Sequence, residues 1–327
     1  MPIAPPQLRP DPKPGRGRPI PSAANTRDLD ARSKIMRYVI TFTSRGVHML
    51  SRRVFLVFLS YLLASGTSYA AEPLPVVATF SILGDFVKQV GGEHVDVHVL
   101  VGPDGDAHTY VPTPQDAQRV SASRLVVVNG LALEGWLDRL FKASAARTSI
   151  IVASRGVAAI PGIDNAKRYV TNIRDALIVS DPVDRSDYET NAADYLRKLD
   201  ALDQHVREAL AIIPASRRKI ITTPDAFGYF AKAYGFTFIA PQGISTDSEA
   251  SAKDVGKIIR QIKAQKIPAV LLENVTDHRL IQQIAKETGA KIGKPLFSDA
   301  LSPPDGPAGT YIAMVNNNLD AFVEALR

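Results

Sequence analysis

One histidine of this chain stands where an imidazole can do chemistry. His108 lies in VGPDGDAHTYVPTPQD, Val101 to Asp116. Gly102, Pro103, Asp104, Gly105 and Asp106 precede it, and so dense a turn cluster continues neither a strand nor a helix. Before the cluster, Val95, Val97 and Val99 alternate with Asp96 and His98, which predicts a half-buried strand. After it, Thr113, Pro114 and Asp116 predict a helix start: a capping hydroxyl, proline at the first position and an acid in the first turn. An imidazole at the carboxyl end of a strand, aimed into a crevice, can ligate a metal. The plain alternative is a solvated loop histidine. His94 in a turn, His98 on the polar strand face and His278 at a helix start are expected to face solvent. His205 adjoins an apolar stripe and needs no functional account.

Other chemistries are excluded by residue type. The 327 residues contain 0 cysteines, which removes disulfides, thiolate metal sites, a cysteine nucleophile and a lipid-bearing cysteine. Gly-x-Ser-x-Gly, His-Glu-x-x-His and phosphate-loop patterns are also absent, so no enzyme is expected.

The elements that must position His108 alternate between strand and helix. Val76–Phe80, Leu125–Val128 and Ser149–Val152 read as buried strands. Ile82–Val90 and Glu134–Phe141 read as helices, the latter carrying the single tryptophan, Trp136. From Asp187 to Ile213, Tyr188, Ala192, Tyr195, Leu199, Leu202, Val206 and Leu210 recur every three or four residues. A helix of about 25 residues spans close to 40 Å, enough to cross a small domain. Beyond it the alternation resumes. Lys219–Thr222, Thr237–Ala240 and Ala269–Leu272 read as strands. Ala226–Tyr234, a helix capped by Ser251 and Asp254, His278–Thr288 and Tyr311–Leu326 read as helices. The expected fold is α/β: two Rossmann-like lobes with parallel sheets, 72–186 and 214–327, joined by one long helix, 187–213.

The first 71 residues are of another kind. They hold 11 Lys/Arg against 3 Asp/Glu, leaving 28 basic and 30 acidic side chains for the remainder. The pI near 9.4 therefore belongs to the N-terminal stretch, and the rest offers no general attraction to nucleic acid or anionic membrane. Residues 1–48, with eight prolines before Ala23, read as a disordered extension or a mis-assigned start. Residues 49–71 read as a signal peptide: Arg52 and Arg53, an apolar run from Val54 to Ala64, then Ser68-Tyr69-Ala70 as a small-x-small cleavage site. The apolar run falls short of the about 20 residues a bilayer span needs. The Arg pair fits a twin-arginine signal as well as a Sec signal. The expected product is a soluble periplasmic protein with no transmembrane segment.

ATFSILGDFVKQVGGEHVDVHVLVGPDGDAHTYVPTPQDAQRV, followed in order by TTPDAFGYFAKAYG, APQGIST, PAVLLENVTD and LFSDALSPPDG, resembles the substrate-binding proteins of zinc and manganese ABC importers. The likeness runs from about Val76 to the C-terminus. It implies a monomer that binds Zn²⁺ or Mn²⁺ between two lobes and docks on a membrane permease with its ATPase. It implies two metal ligands, His108 in the opening motif and Asp299 in Ser298-Asp299-Ala300-Leu301. Two more that the family usually supplies have no counterpart. An Asp-Pro-His-x-Trp segment is missing near Gly162–Tyr169, and Pro224 stands at the third ligand position. Asp225 and Glu273 are the nearest carboxylates, each also readable as a helix cap or a supporting hydrogen-bonding residue. Two functional expectations stay open: a metal receptor for an importer, or a degenerate relative with weak or no metal binding that acts through protein contacts.

Overall fold

The computed structural model describes residues 72–327 except 146, 158–161, 223–225, 241–250, 266, 268, 276–277 and 327. The expected signal peptide, Pro224, Asp225 and the side chains of Asp254 and His278 lie outside the described residues.

Two four-stranded parallel sheets form the frame. In the first, β1 (Leu74–Phe80), β2 (Val95–Val101), β3 (Leu125–Val128) and β4 (Ser149–Val152) lie in the order β2-β1-β3-β4. In the second, β5 (Lys219–Ile221), β6 (Thr237–Ile239), β7 (Ala269–Val270) and β8 (Lys291–Ile292) lie in the order β6-β5-β7-β8. The two orders are the same although no sequence repeat connects them. The central strands are continuous apolar runs because helices cover both faces; all four residues of β3 are buried. In this order the chain reverses direction across the sheet between the first and third strands. That switch point opens a crevice at the strands' carboxyl ends, where ligands of open α/β sheets bind.

Helices α1 (Ser81–Gly91), α2 (Pro114–Ala122) and α3 (Leu137–Ser144) belong to the first lobe. The expected α2 start is present as a full capping box: Thr113 Oγ1 accepts from the Asp116 N–H, and Asp116 accepts from the Thr113 N–H. Helix α3 starts three residues later than its pattern indicated. Leu131 and Ala132 adopt φ of 55° and 62°, and Glu134 folds back to accept backbone N–H bonds from Asn129 and Gly130. Trp136 consequently precedes the helix rather than riding on it. A 17-residue helix not anticipated from the sequence, α4 (Asp164–Ser180), runs directly into the linking region.

Helix α5 (Arg185–Ala211) has 27 residues, about 40 Å, and buries Tyr188, Ala192, Tyr195, Leu199, Leu202, Val206 and Leu210, the expected stripe. The second lobe adds α6 (Gly228–Tyr234), α7 (Ala252–Gln265), α8 (His278–Thr288) and α9 (Tyr311–Leu326). Gly235 stops α6 at φ 71°, a conformation that favours glycine.

Two histidines expected to face solvent are only half-exposed. His94 is held at the start of α5, with Nδ1 2.9 Å from Asp184 and Nε2 3.0 Å from Asp187. Its partners come from about 90 residues away, which strand alternation cannot show. His98 has its Nε2 buried without a protein partner, and burial, with Arg119 nearby, lowers its pKa. Asp116 and Arg119 of α2 lie close enough to act on its charge.

One hydrophobic core runs from β1 through α4, α5 and α9 into the second lobe, reaching Ile220, Leu271 and Leu296. A smaller cluster fills the outer part of the second lobe, around Ile258, Ile262 and Val270. Leu199, fully buried in the middle of α5, belongs to the larger core. Leu199→Ala is expected to cost about 2–5 kcal/mol, the usual range for such a truncation. Urea unfolding followed by circular dichroism checks this, and a loss under about 1 kcal/mol would mean that α5 is not a core element.

Candidate functional site

His108 leaves the carboxyl end of β2 on the turn that the sequence marks out. Its own N–H donates to Asp106 Oδ1 at 2.8 Å, closing a side-chain turn. The preceding carbonyl, of Ala107, accepts from the Trp136 indole N–H at 2.8 Å. Trp136 is 1 % exposed and meets Tyr110 edge-on with ring centroids 5.1 Å apart. The Tyr110 hydroxyl donates to Asp116, and burial together with that carboxylate pushes its pKa up to about 12. Burial works to raise the pKa of Asp116, but hydrogen bonds from Thr113 and Tyr110 and the charge of Arg119 outweigh it and hold the carboxyl low. The His108 loop is therefore fixed from both sides by groups that keep one protonation state near neutral pH.

Asp299 is positioned from the second lobe. The Phe297 N–H donates to Asn318 Oδ1 at 2.9 Å, and Asn318 Nδ2 donates to the Phe297 carbonyl at 2.6 Å, pinning the segment to α9. Ser298 Oγ donates to Glu273 Oε2. Glu273 is 0 % exposed and is not among the described residues that line the cleft, so it supports the Asp299 segment from beneath. Sequence reasoning left Glu273 open between ligand and support.

The two side chains meet. His108 Nε2 lies 3.2 Å from Asp299 Oδ2, with His108 only 8 % and Asp299 20 % exposed at the side chain. The 3.2 Å contact is a direct imidazole–carboxylate hydrogen bond, and two ligands each about 2.0–2.1 Å from a tetrahedral ion would stand about 3.3 Å apart, so the pair has a separation that a shared cation could also use. Four bonds close the cleft floor between lobes. Asp104 N–H donates to the Leu301 carbonyl at 2.9 Å, and Asn274 Nδ2 donates to Asp104 Oδ1 at 2.9 Å. Leu301 N–H donates to Ser81 Oγ at 2.9 Å, and Tyr311 N–H donates to Asp85 Oδ2 at 2.8 Å. Burial raises the Asp85 pKa, against the lowering effect of hydrogen bonds from the Tyr311 N–H, Gln89 and Tyr195.

The cleft above this floor has a volume of about 620 Å³. Its walls are mostly aromatic and apolar: Phe86, Tyr169, Phe227, Phe230 and Tyr311 among them. His108 and Asp299 are the only His, Asp or Glu among its described lining residues, and no Lys or Arg is among them. Asn165 and Tyr169, at the start of α4, were missed as cleft residues because that helix was not anticipated. The Tyr169 hydroxyl donates to Asn129 Oδ1 at 2.6 Å, tying α4 to the end of β3.

Glu134 frames the same edge. It accepts from Thr79 Oγ1 at 2.7 Å and from the Asn129 N–H at 2.6 Å, and burial raises its pKa.

Residues 76–325 match the family described as zinc-uptake complex component A, periplasmic. The chain is 33% identical over 285 residues to the iron-binding protein YfeA of Yersinia pestis, covering 82% of this chain and 91% of that protein. It is 31% identical over 275 residues to the manganese-binding lipoprotein MntA of Halalkalibacterium halodurans, covering 80% and 91%. The solved structure of the periplasmic zinc-binding protein TroA from Treponema pallidum superposes with a TM-score of 0.74 at 30% identity, over 78% of this chain and 99% of that one.

Two measurements check the supports of the site. Trp136→Phe removes the bond to Ala107 and is expected to destabilise by about 1 kcal/mol. Equilibrium unfolding reads it, and an unchanged midpoint would mean the bond does not hold the loop. For Glu134 the folded pKa lies above the unfolded one, so the stability its neutral form carries is present at low pH and lost as pH rises through the raised value. The stability of wild type relative to Glu134→Gln should therefore grow as pH falls from 7 toward 4.5. A gap that is flat or shrinks on acidification contradicts the assignment.

Proposed function

The chain belongs to the family of periplasmic metal-binding components of ABC importers, and from that premise we propose that it receives a divalent transition metal between His108 and Asp299. The observation that carries this reading is the 3.2 Å approach of the two side chains across the cleft, from segments 191 residues apart. An imidazole and a carboxylate suit zinc, manganese and iron(II) alike, and each softer or harder addition to the set moves the preference. The described cleft lining holds no further His, Asp or Glu, and two protein ligands hold an ion less firmly than four. That suits a carrier, which must release its cargo to a permease and its ATPase. Export by the N-terminal signal would place the protein in the periplasm. With no cysteine for a lipid, the processed form would act there as a soluble monomer.

A second reading rests on the same lining: two protein ligands among the described cleft residues fit a relative that has lost metal binding and acts through protein contacts. Thermal unfolding of metal-stripped protein with Mn²⁺, Zn²⁺ or Fe²⁺ separates the two. A metal present at 100 times its Kd stabilises by about 2.7 kcal/mol. We expect a shift with at least one of the three ions, abolished by His108→Ala and by Asp299→Ala. No shift at millimolar metal favours the second reading, and a shift that survives both substitutions puts the site elsewhere.

A further inference from the structure

Away from the cleft, one imidazole is surrounded by carboxylates. His94 closes the 3₁₀ turn Gly92–His94 between α1 and β2. Its Nδ1 lies 2.9 Å from Asp184 and its Nε2 3.0 Å from Asp187, both at the start of α5. The carboxyl of Asp181 meets that of Asp184 and accepts from the Tyr188 hydroxyl at 2.8 Å. Neither His94 nor any of these acids is among the described residues lining the cleft.

Three features set this cluster apart from an ordinary helix start. The first is an aspartate diverted from capping. Asp184 occupies the N-cap position of α5 and makes no side-chain capping bond. Aspartate there ordinarily accepts from a backbone N–H of the first turn; this one is turned to His94 instead. The second is a ring held in place by groups other than its carboxylates. His94 stands edge-on to the buried Tyr188 ring, with centroids 6.0 Å apart. Asn191 Nδ2 donates to the Val90 carbonyl at 3.1 Å and fastens the end of α1 to α5. The third is charge. Even with a proton on both nitrogens, one imidazolium faces Asp181, Asp184 and Asp187, which leaves an excess of negative charge. Burial and the contact with Asp181 raise the Asp184 pKa, against the charge of His94. The N-terminal dipole of α5 offsets only about half a charge.

We propose that His94, Asp184 and Asp187 form a second site for a divalent transition metal, where the first lobe meets the start of α5. One ligand atom from each lies within 4.8 Å of the other two. As they stand, the two contacts of His94 are direct hydrogen bonds. The ion replaces the proton on one ring nitrogen, that proton passes to solvent, and the other N–H faces water. Asp187, the most exposed of the three, turns onto the ion. Asp181 stays in the hold of Tyr188 and steadies Asp184. One imidazole with carboxylates suits Zn²⁺, Mn²⁺ and iron(II), and water fills the remaining positions. The bound ion ties the corner between α1 and β2 to the linking helix. None of this depends on the cleft holding an ion.

The test counts metal. Metal-stripped protein is dialysed against graded Mn²⁺ or Zn²⁺, and bound metal is measured per chain. We expect two ions in wild type, one in the double variant His108→Ala, Asp299→Ala, and none once His94→Gln is added to it. His94 and Asp187 are more exposed than His108 and Asp299, so this ion is the weaker and fills second. The thermal shift at low metal therefore still reports the cleft. His94→Gln and Asp184→Asn should each weaken the second ion at least about tenfold. Line broadening of backbone amides by Mn²⁺ in the double variant locates the ion with the site intact, and residues 92–95 and 184–188 should broaden first. A double variant that takes up no metal at millimolar concentration overturns the proposal. So does a second ion that survives both His94→Gln and Asp184→Asn, or broadening centred elsewhere. A single ion that survives His108→Ala and Asp299→Ala and is lost with His94→Gln upholds this site and overturns the cleft reading.

Discussion

Everything in this molecule turns on an imidazole and a carboxylate, 191 residues apart in the chain, being held 3.2 Å from one another. Neither side chain has that position by itself. His108 is set by a turn closed on Asp106 and a carbonyl held by Trp136; Asp299 is set by Asn318 on one side and by Ser298 on Glu273 on the other. A misplacement of one ångström would spoil a metal bite, since ligand distances vary by only about 0.2 Å. The site is as good as the packing between lobes.

Most of that packing is one core continuous between the lobes, with a smaller cluster in the outer part of the second lobe. Helix α5 presents its apolar stripe along its length, and α9 returns from the C-terminus to lie against both lobes. Phe86 of α1 meets Tyr311 of α9 with centroids 4.9 Å apart, and Phe227 beyond β5 meets Phe322 of α9 at 5.9 Å. Backbone bonds from Asp104 and Leu301 cross the cleft floor. Rotating one lobe against the other would break these contacts together.

The cleft joins two kinds of surface. Its floor carries one imidazole and one carboxylate, and its described walls are mostly aromatic and apolar. Both sheets have the same strand order, with a switch point between the first and third strands of each, where the segments after those strands can enter a crevice.

The sequence by itself determined the alternation of strands and helices, the long helix with its seven buried positions, the capped start of α2 and the turn carrying His108. Each of these is a local pattern of period two, of period 3.6, or of turn formers. Resemblance to a family supplied Asp299. It was tertiary structure that decided the rest. His94 lies between Asp184 and Asp187, His98 has its Nε2 buried, Trp136 stands ahead of its helix, and Asn165 and Tyr169 line the cleft. The physical reason is the same in each case. These placements depend on partners far along the chain, and a periodicity reports which face of an element is apolar, not what will come to cover it.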